Sequence, residues 1–107
     1  MAAMNINKNQ FEQLLQGSKP VLVDFWAPWC GYCRRIGPAY DALARELGQS
    51  LEIVKLNIDE EPRLAQAEGI EVIPTLVLYS GGKAVDSIVA PESKARIESF
   101  LNEALAK

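Results

Sequence analysis

The sequence predicts an α/β fold, a mixed sheet with helices on both faces. Three observations predict it. Apolar runs at Val21–Trp26, Leu51–Ile58 and Leu76–Tyr79 read as buried strands. Segments with helical spacing lie before, between and after them. The resulting order is β-α-β-α-β in the first half and α-β-β-α in the second, which needs parallel crossovers early and a hairpin late.

Taken in order, Met4 to Ile6 reads as a short edge strand. Asn7 is placed to cap a helix, with Gln10 three residues on completing a capping box. Phe11, Leu14 and Leu15 follow with helical spacing, and Gly17-Ser18 closes that helix. Pro20 starts the Val21–Trp26 strand where its missing N–H costs no ladder bond. The next helix runs from about Cys30 to Leu47, with Ile36, Tyr40, Leu43 and Leu47 on one face and Gly48 after it. Pro38 inside it removes a donor and predicts a kink. Leu51–Ile58 is a second apolar strand. Asp59 is the expected cap of a short helix over Glu60–Glu68, with Pro62 in its first turn and Gly69 after it. Gly81-Gly82 reads as a hairpin turn between Leu76–Tyr79 and Lys83–Val89. Simple alternation would put Ala84, Asp86 and Ile88 on one face and Val85, Ser87 and Val89 on the other. Ile97, Phe100, Leu101, Ala104 and Leu105 mark an amphipathic C-terminal helix.

The chain has 107 residues, one domain by size, and folding at that length buries roughly 65% of the unfolded surface. Hydrophobic residues make up 49%, which argues against disorder. The net charge of −3 gives no basic patch for nucleic acid and no attraction to an anionic membrane. No apolar run approaches the about 18 residues of a membrane span. Met1–Lys8 lacks an apolar h-region, so no signal peptide is predicted; the expected compartment is the cytoplasm, the alternative being a chain that begins after a removed presequence. With 0 histidines and two cysteines, no single-chain zinc site can be assembled; the expectation is no metal and no bound cofactor, with a cluster shared between two chains as the alternative.

The two cysteines, Cys30 and Cys33, stand in C-x-x-C spacing within F-W-A-P-W-C-G-Y-C-R-R-I-G-P, where a strand hands over to a helix. Unpartnered N–H groups and the helix dipole stabilise a thiolate there, and the thiolate is the nucleophile of disulfide exchange. Residues three apart on a helix share a face, with Cα atoms about 5 to 6 Å apart, a separation a disulfide tolerates. Cys30 can therefore attack a foreign disulfide and Cys33 can resolve the product. Asp24 interrupts an apolar strand. If buried, its pKa rises and it can accept a proton near neutral pH; the alternative is a solvated carboxylate at a strand end. Lys55 lies in the next strand, where its plain reading is an exposed edge residue.

Phe25–Cys33 resembles the active-site segment of the thioredoxins, and the element order extends the resemblance over nearly the whole chain. The resemblance implies the thioredoxin fold, a central four- to five-stranded sheet flanked by four helices. It implies that Cys30 is the exposed nucleophile and Cys33 the buried resolving thiol. Asp24 would lie beneath Cys33 and assist its deprotonation, with Lys55 beside it. Ile73-Pro74 would be a cis bond facing the cysteines, leaving the Ile73 backbone free to pair with a substrate strand. Trp29, Gly31, Ile58, Ile73 and Val89 would form an apolar docking shelf for disulfide-containing proteins, with Trp26 as packing. The implied partners are protein disulfides and a flavin-containing thioredoxin reductase as electron donor, with no nucleic acid or membrane, and the implied state is a monomer.

The sequence departs from the family pattern at two positions. Tyr32 replaces the proline usual between the cysteines. It removes a locked φ, and its hydroxyl is expected to donate toward the thiolate, making the pair more oxidising. Ala90 stands where a glycine is usual and substrate backbone approaches, and its methyl is expected to narrow the range of partners. Arg34 and Arg35 add positive charge after Cys33, against a simpler role as solvated helix surface. The predicted activity is reduction of protein disulfides through Cys30/Cys33. The rivals are a disulfide oxidase or isomerase, a glutaredoxin-like enzyme using glutathione, and a binding module that works without turnover.

Overall fold

In the computed structural model, which describes residues 2–107, nine elements build the fold. They are β1 (Met4–Asn5), α1 (Lys8–Leu15), β2 (Val21–Trp26), α2 (Gly31–Leu47), β3 (Glu52–Asn57), α3 (Pro62–Ala67), β4 (Thr75–Ser80), β5 (Lys83–Val89) and α4 (Lys94–Leu105). The strand order is β1-β3-β2-β4-β5. β3 runs parallel to both β1 and β2, whereas β4 is antiparallel to β2 and β5 to β4. This is the mixed, helix-flanked sheet of the thioredoxin fold.

Side-chain alternation along the strands divides the core into two. Leu22, Ile53, Leu76 and Leu78 pack with Ile36, Tyr40 and Leu43 of α2 and Ile97, Phe100 and Leu101 of α4. Val21, Val23, Phe25, Val54, Leu56, Val77 and Tyr79 face the other way, against Phe11 and Leu14 of α1 and Leu64 of α3. The central strands are apolar on both faces because both are covered. Phe11 meets the Tyr79 ring edge-on at 5.2 Å, an arrangement aromatic pairs favour.

The local signals act largely as expected. Asn7 and Gln10 form the capping box. Gly69 follows α3 with φ +75°, a conformation glycine adopts without steric cost. α2 continues through Pro38 as one helix. Gly48 ends it with an ordinary helical φ of −63°; the glycine is needed for space, since a Cβ there would lie 2.6 Å from the Ala44 carbonyl oxygen.

Two expectations are corrected. Asp59 does not cap α3; the helix starts three residues later, with Glu61 at the cap position and Pro62 as the first helical residue. The intervening residues form a turn in which the Glu60 and Glu61 N–H groups both donate to the Asn57 carbonyl oxygen. In β5 the simple alternation fails because the register shifts between Leu78 and Tyr79. Ala84 stands opposite Tyr79 and Asp86 opposite Leu78, so Val85 is an inserted bulge residue. Ala84 therefore shares a face with Ser87 and Val89, not with Asp86 and Ile88.

Candidate active site

The end of β2 delivers the chain through Ala27–Trp29 to the start of α2. Cys30 is the N-cap of α2, with an extended backbone at φ −85° and ψ 110°. Its Sγ accepts a hydrogen bond from the Cys33 N–H at 3.1 Å, so the sulfur takes the place of the oxygen in a conventional cap. Cys30 and Cys33 are joined as a disulfide with Cα atoms 5.2 Å apart, and the molecule is in its oxidised form. On reduction the same N–H and the dipole of a 17-residue helix stabilise a Cys30 thiolate. Cys30 is 9% exposed and Cys33 3%. The order of accessibility agrees with the resemblance, but in the oxidised form Cys30 presents only an edge and is not the freely exposed thiol expected.

Asp24 shares the face of Leu22, the side of β2 that α2 covers. It is 2% exposed, and its Oδ1 has no hydrogen-bond partner among the described residues. The solvated strand-end alternative is thereby excluded. Burial pushes its pKa from 3.8 to about 7; the Lys55 charge pulls it back part of the way, and Asp41 adds to the rise. Lys55 is paired in register with Asp24 across β2 and β3. It is half-buried on an interior strand, and its Nζ lies 4.6 Å above the Trp26 ring. An edge position for Lys55 is excluded.

Tyr40 was legible only as a core residue. Its side chain is fully buried, and its hydroxyl lies 2.7 Å from the Val54 carbonyl oxygen and 3.1 Å from that of Leu22. It fastens α2 to both central strands, two residues before Asp24 on β2 and one before Lys55 on β3. Burial and the charge of Asp24 hold its phenol in the protonated form.

The Ile73–Pro74 bond is cis, and the Ile73 carbonyl oxygen lies 4.0 Å from Cys30 Sγ. Trp29 is 66% exposed and Val89 52%, with Gly31 also exposed and Ile58 and Ile73 half-buried. Sequence reasoning missed two contributors here. Val72 is 55% exposed, whereas an apolar residue in a short loop carries no periodicity that separates surface from core. Asp59 accepts a hydrogen bond from Trp29 Nε1 at 3.0 Å and so orients the indole instead of capping a helix. Trp26 is held by Asn5 Oδ1 at 2.8 Å and is packing, as expected.

Tyr32 differs from expectation. Its hydroxyl donates to the Pro91 carbonyl oxygen at 3.0 Å, so its single proton is committed away from the cysteines. Arg35 lies over its ring at 5.8 Å, while Arg34 donates to the Pro28 carbonyl oxygen at 2.7 Å. Arg34 is thus engaged with the loop before α2 and Arg35 with a side chain of α2 itself, so neither is merely solvated. Ala90 has φ +46°, the one positive φ of a non-glycine residue among those described. Such a conformation costs on the order of 1 kcal/mol.

The comparisons with known proteins agree with this geometry. A thioredoxin family model matches residues 2–103. The chain is 41% identical over 104 residues to the thioredoxin of Porphyra purpurea, covering 96% of this chain and 97% of that protein. It is 49% identical over 94 residues to the thioredoxin of Streptomyces clavuligerus, covering 87% of each. It is 46% identical over 102 residues to the chloroplastic M-type thioredoxin of Chlamydomonas reinhardtii, covering 91% of this chain and 73% of that one. Fold, vicinal cysteines and relatives converge on dithiol–disulfide exchange at Cys30/Cys33, and the chain belongs to the thioredoxin family of thiol–disulfide oxidoreductases.

Proposed function

We propose that the protein works in the reducing direction, transferring two electrons from the Cys30/Cys33 dithiol to disulfides of other proteins. What supports the reading is the Cys30/Cys33 pair at the start of α2 together with the buried Asp24 carboxyl on the face of β2 that α2 covers, its pKa pushed up to about 7. In the first step the Cys30 thiolate attacks a substrate disulfide. A Cys30–substrate bond forms, the substrate S–S bond breaks, and the leaving thiolate takes up a proton. In the second step the Cys33 thiol gives its proton to the Asp24 carboxylate and attacks Cys30 Sγ. The Cys30–Cys33 bond forms and the second substrate thiolate leaves. A group with a pKa of about 7 suits this role, because it is partly ionised at working pH and basic enough to accept the proton. Lys55 tunes that group. A flavin-containing thioredoxin reductase would return the two electrons.

Substrate docking is assigned to Trp29, Gly31, Tyr32, Ile58, Ile73, Pro74, Val89 and Ala90. Exposed apolar side chains beside a disulfide support it, as does the Ile73 backbone next to Cys30. The protein is taken to act as a cytoplasmic monomer without a bound cofactor. The oxidase or isomerase alternative drew on two effects of Tyr32, the loss of a locked φ and a hydroxyl directed at the thiolate; the second does not operate here, because that proton goes to Pro91.

The test is equilibration of the pair with defined glutathione buffers, read by thiol alkylation. The expected potential is the one characteristic of the family, about −270 mV. A value near about −180 mV, that of protein disulfide isomerase, would overturn the reducing direction.

A further inference from the structure

We infer that Tyr32 is a positioning residue that latches the corner at Ala90–Pro91, and through it sets how well protein disulfides dock. The inference rests on the docking reading above and gives Tyr32, already among its residues, the specific role of holding the corner at Ala90–Pro91.

Four observations combine. Ala90 has φ +46°, and two features oppose that conformation: it carries a Cβ, and it precedes a proline, which drives the residue before it toward extended backbone. The Ala90 N–H nevertheless donates to the Pro74 carbonyl oxygen at 2.8 Å. Pro91 is buried, and its carbonyl oxygen accepts the Tyr32 hydroxyl at 3.0 Å across 59 residues of chain. The Tyr32 ring is itself fixed, packed against the core on the α2 side and covered by Arg35.

These contacts close a circuit around the disulfide. It runs from Cys30 along α2 to Tyr32, across to Pro91, back through Ala90 to Pro74, and from Ile73 to Cys30 Sγ. Ala90 is its conformationally weakest point, because its own preferences favour leaving the left-handed region. The Tyr32–Pro91 hydrogen bond opposes that relaxation. Without it the corner moves off Pro74, and the surface beside Ile73 on which a substrate backbone would pair changes shape. A glycine at position 90 holds φ +46° without steric cost and makes the latch dispensable. The two departures from the family pattern, Tyr32 and Ala90, are on this account one coupled pair.

The experiment measures single-turnover oxidation of the pre-reduced protein by insulin and by cystamine, a disulfide without a peptide backbone. The ratio of the two second-order rate constants isolates backbone docking from thiol reactivity. In Tyr32→Phe the insulin-to-cystamine ratio falls about 5-fold, equivalent to about 1 kcal/mol. The half-saturating insulin concentration rises by a larger factor than the limiting rate changes. Backbone chemical shifts of Ala90 move away from left-handed values. Adding Ala90→Gly to Tyr32→Phe restores the ratio to within about 2-fold of the starting protein. An unchanged ratio in Tyr32→Phe, or a double variant that stays low, overturns the inference. Trp29→Ala separates it from the reading beneath it. If that change leaves the ratio unaltered, the docking reading fails. If it lowers the ratio and Tyr32→Phe does not, the latch alone fails.

Discussion

Replacing Asp24 with Asn tests the buried carboxyl through stability. Asn has nearly the same shape and no charge. The native pKa of Asp24 is about 7 against 3.8 for an ordinary aspartate. Between those pH values the native state holds a proton that the unfolded state has released, so stability falls as pH rises. The carboxyl's contribution is fully present below about pH 4 and is lost as pH climbs through about 7. That window spans about three pH units, and at about 1.36 kcal/mol per unit the loss is about 4 kcal/mol. The cause is that ionisation places a charge on a carboxyl that is 2% exposed and whose Oδ1 has no partner among the described residues. Urea unfolding of the oxidised protein and of Asp24→Asn from pH 4 to 9 measures it, and the other titrating groups cancel in the difference. The two proteins should be of similar stability near pH 4, and the variant should be about 4 kcal/mol more stable above pH 8. A difference independent of pH, or a variant less stable at pH 8, refutes the reasoning. The carboxyl is on this account a destabilising group retained for proton transfer.

The neighbours of Asp24 give further tests. In Lys55→Met the cation that lowers the Asp24 pKa is gone, so its titration should move upward from about 7, followed by the carboxyl carbon shift in NMR; a downward move contradicts the assignment. Tyr40→Phe removes a hydroxyl that lies between two carbonyl oxygens in a fully buried site, and should cost about 1 to 3 kcal/mol in urea unfolding. A cost below about 0.5 kcal/mol would mean the hydroxyl does not fasten α2 to the sheet.

The sheet and its helices were legible because the apolar runs of β2, β3 and β4 are long and the helices between them carry clear periodicity. The capping box at Asn7 and the glycine after α3 were legible because each rests on a local rule. The errors lie where a tertiary contact outranked a local one. Asp59 reads as a helix cap, yet Trp29, 30 residues away in the chain, takes its carboxylate. Val85 breaks the alternation of β5 through a bulge that depends on how the strand meets β4, which no property of β5 alone specifies. The site divides in the same way. The spacing of Cys30 and Cys33 and the oddness of Asp24 in an apolar strand stand out in sequence. The Tyr32–Pro91 contact joins residues 59 apart, and only the fold brings them together.

In this mechanism Cys30 attacks and Cys33 resolves. Mass analysis of Cys33→Ser after reaction with insulin separates the two roles. Attack without resolution should accumulate a covalent adduct mapped to Cys30, and Cys30→Ser treated in the same way should accumulate none. Absence of an adduct from Cys33→Ser, or an equal yield from Cys30→Ser, would contradict the assigned roles.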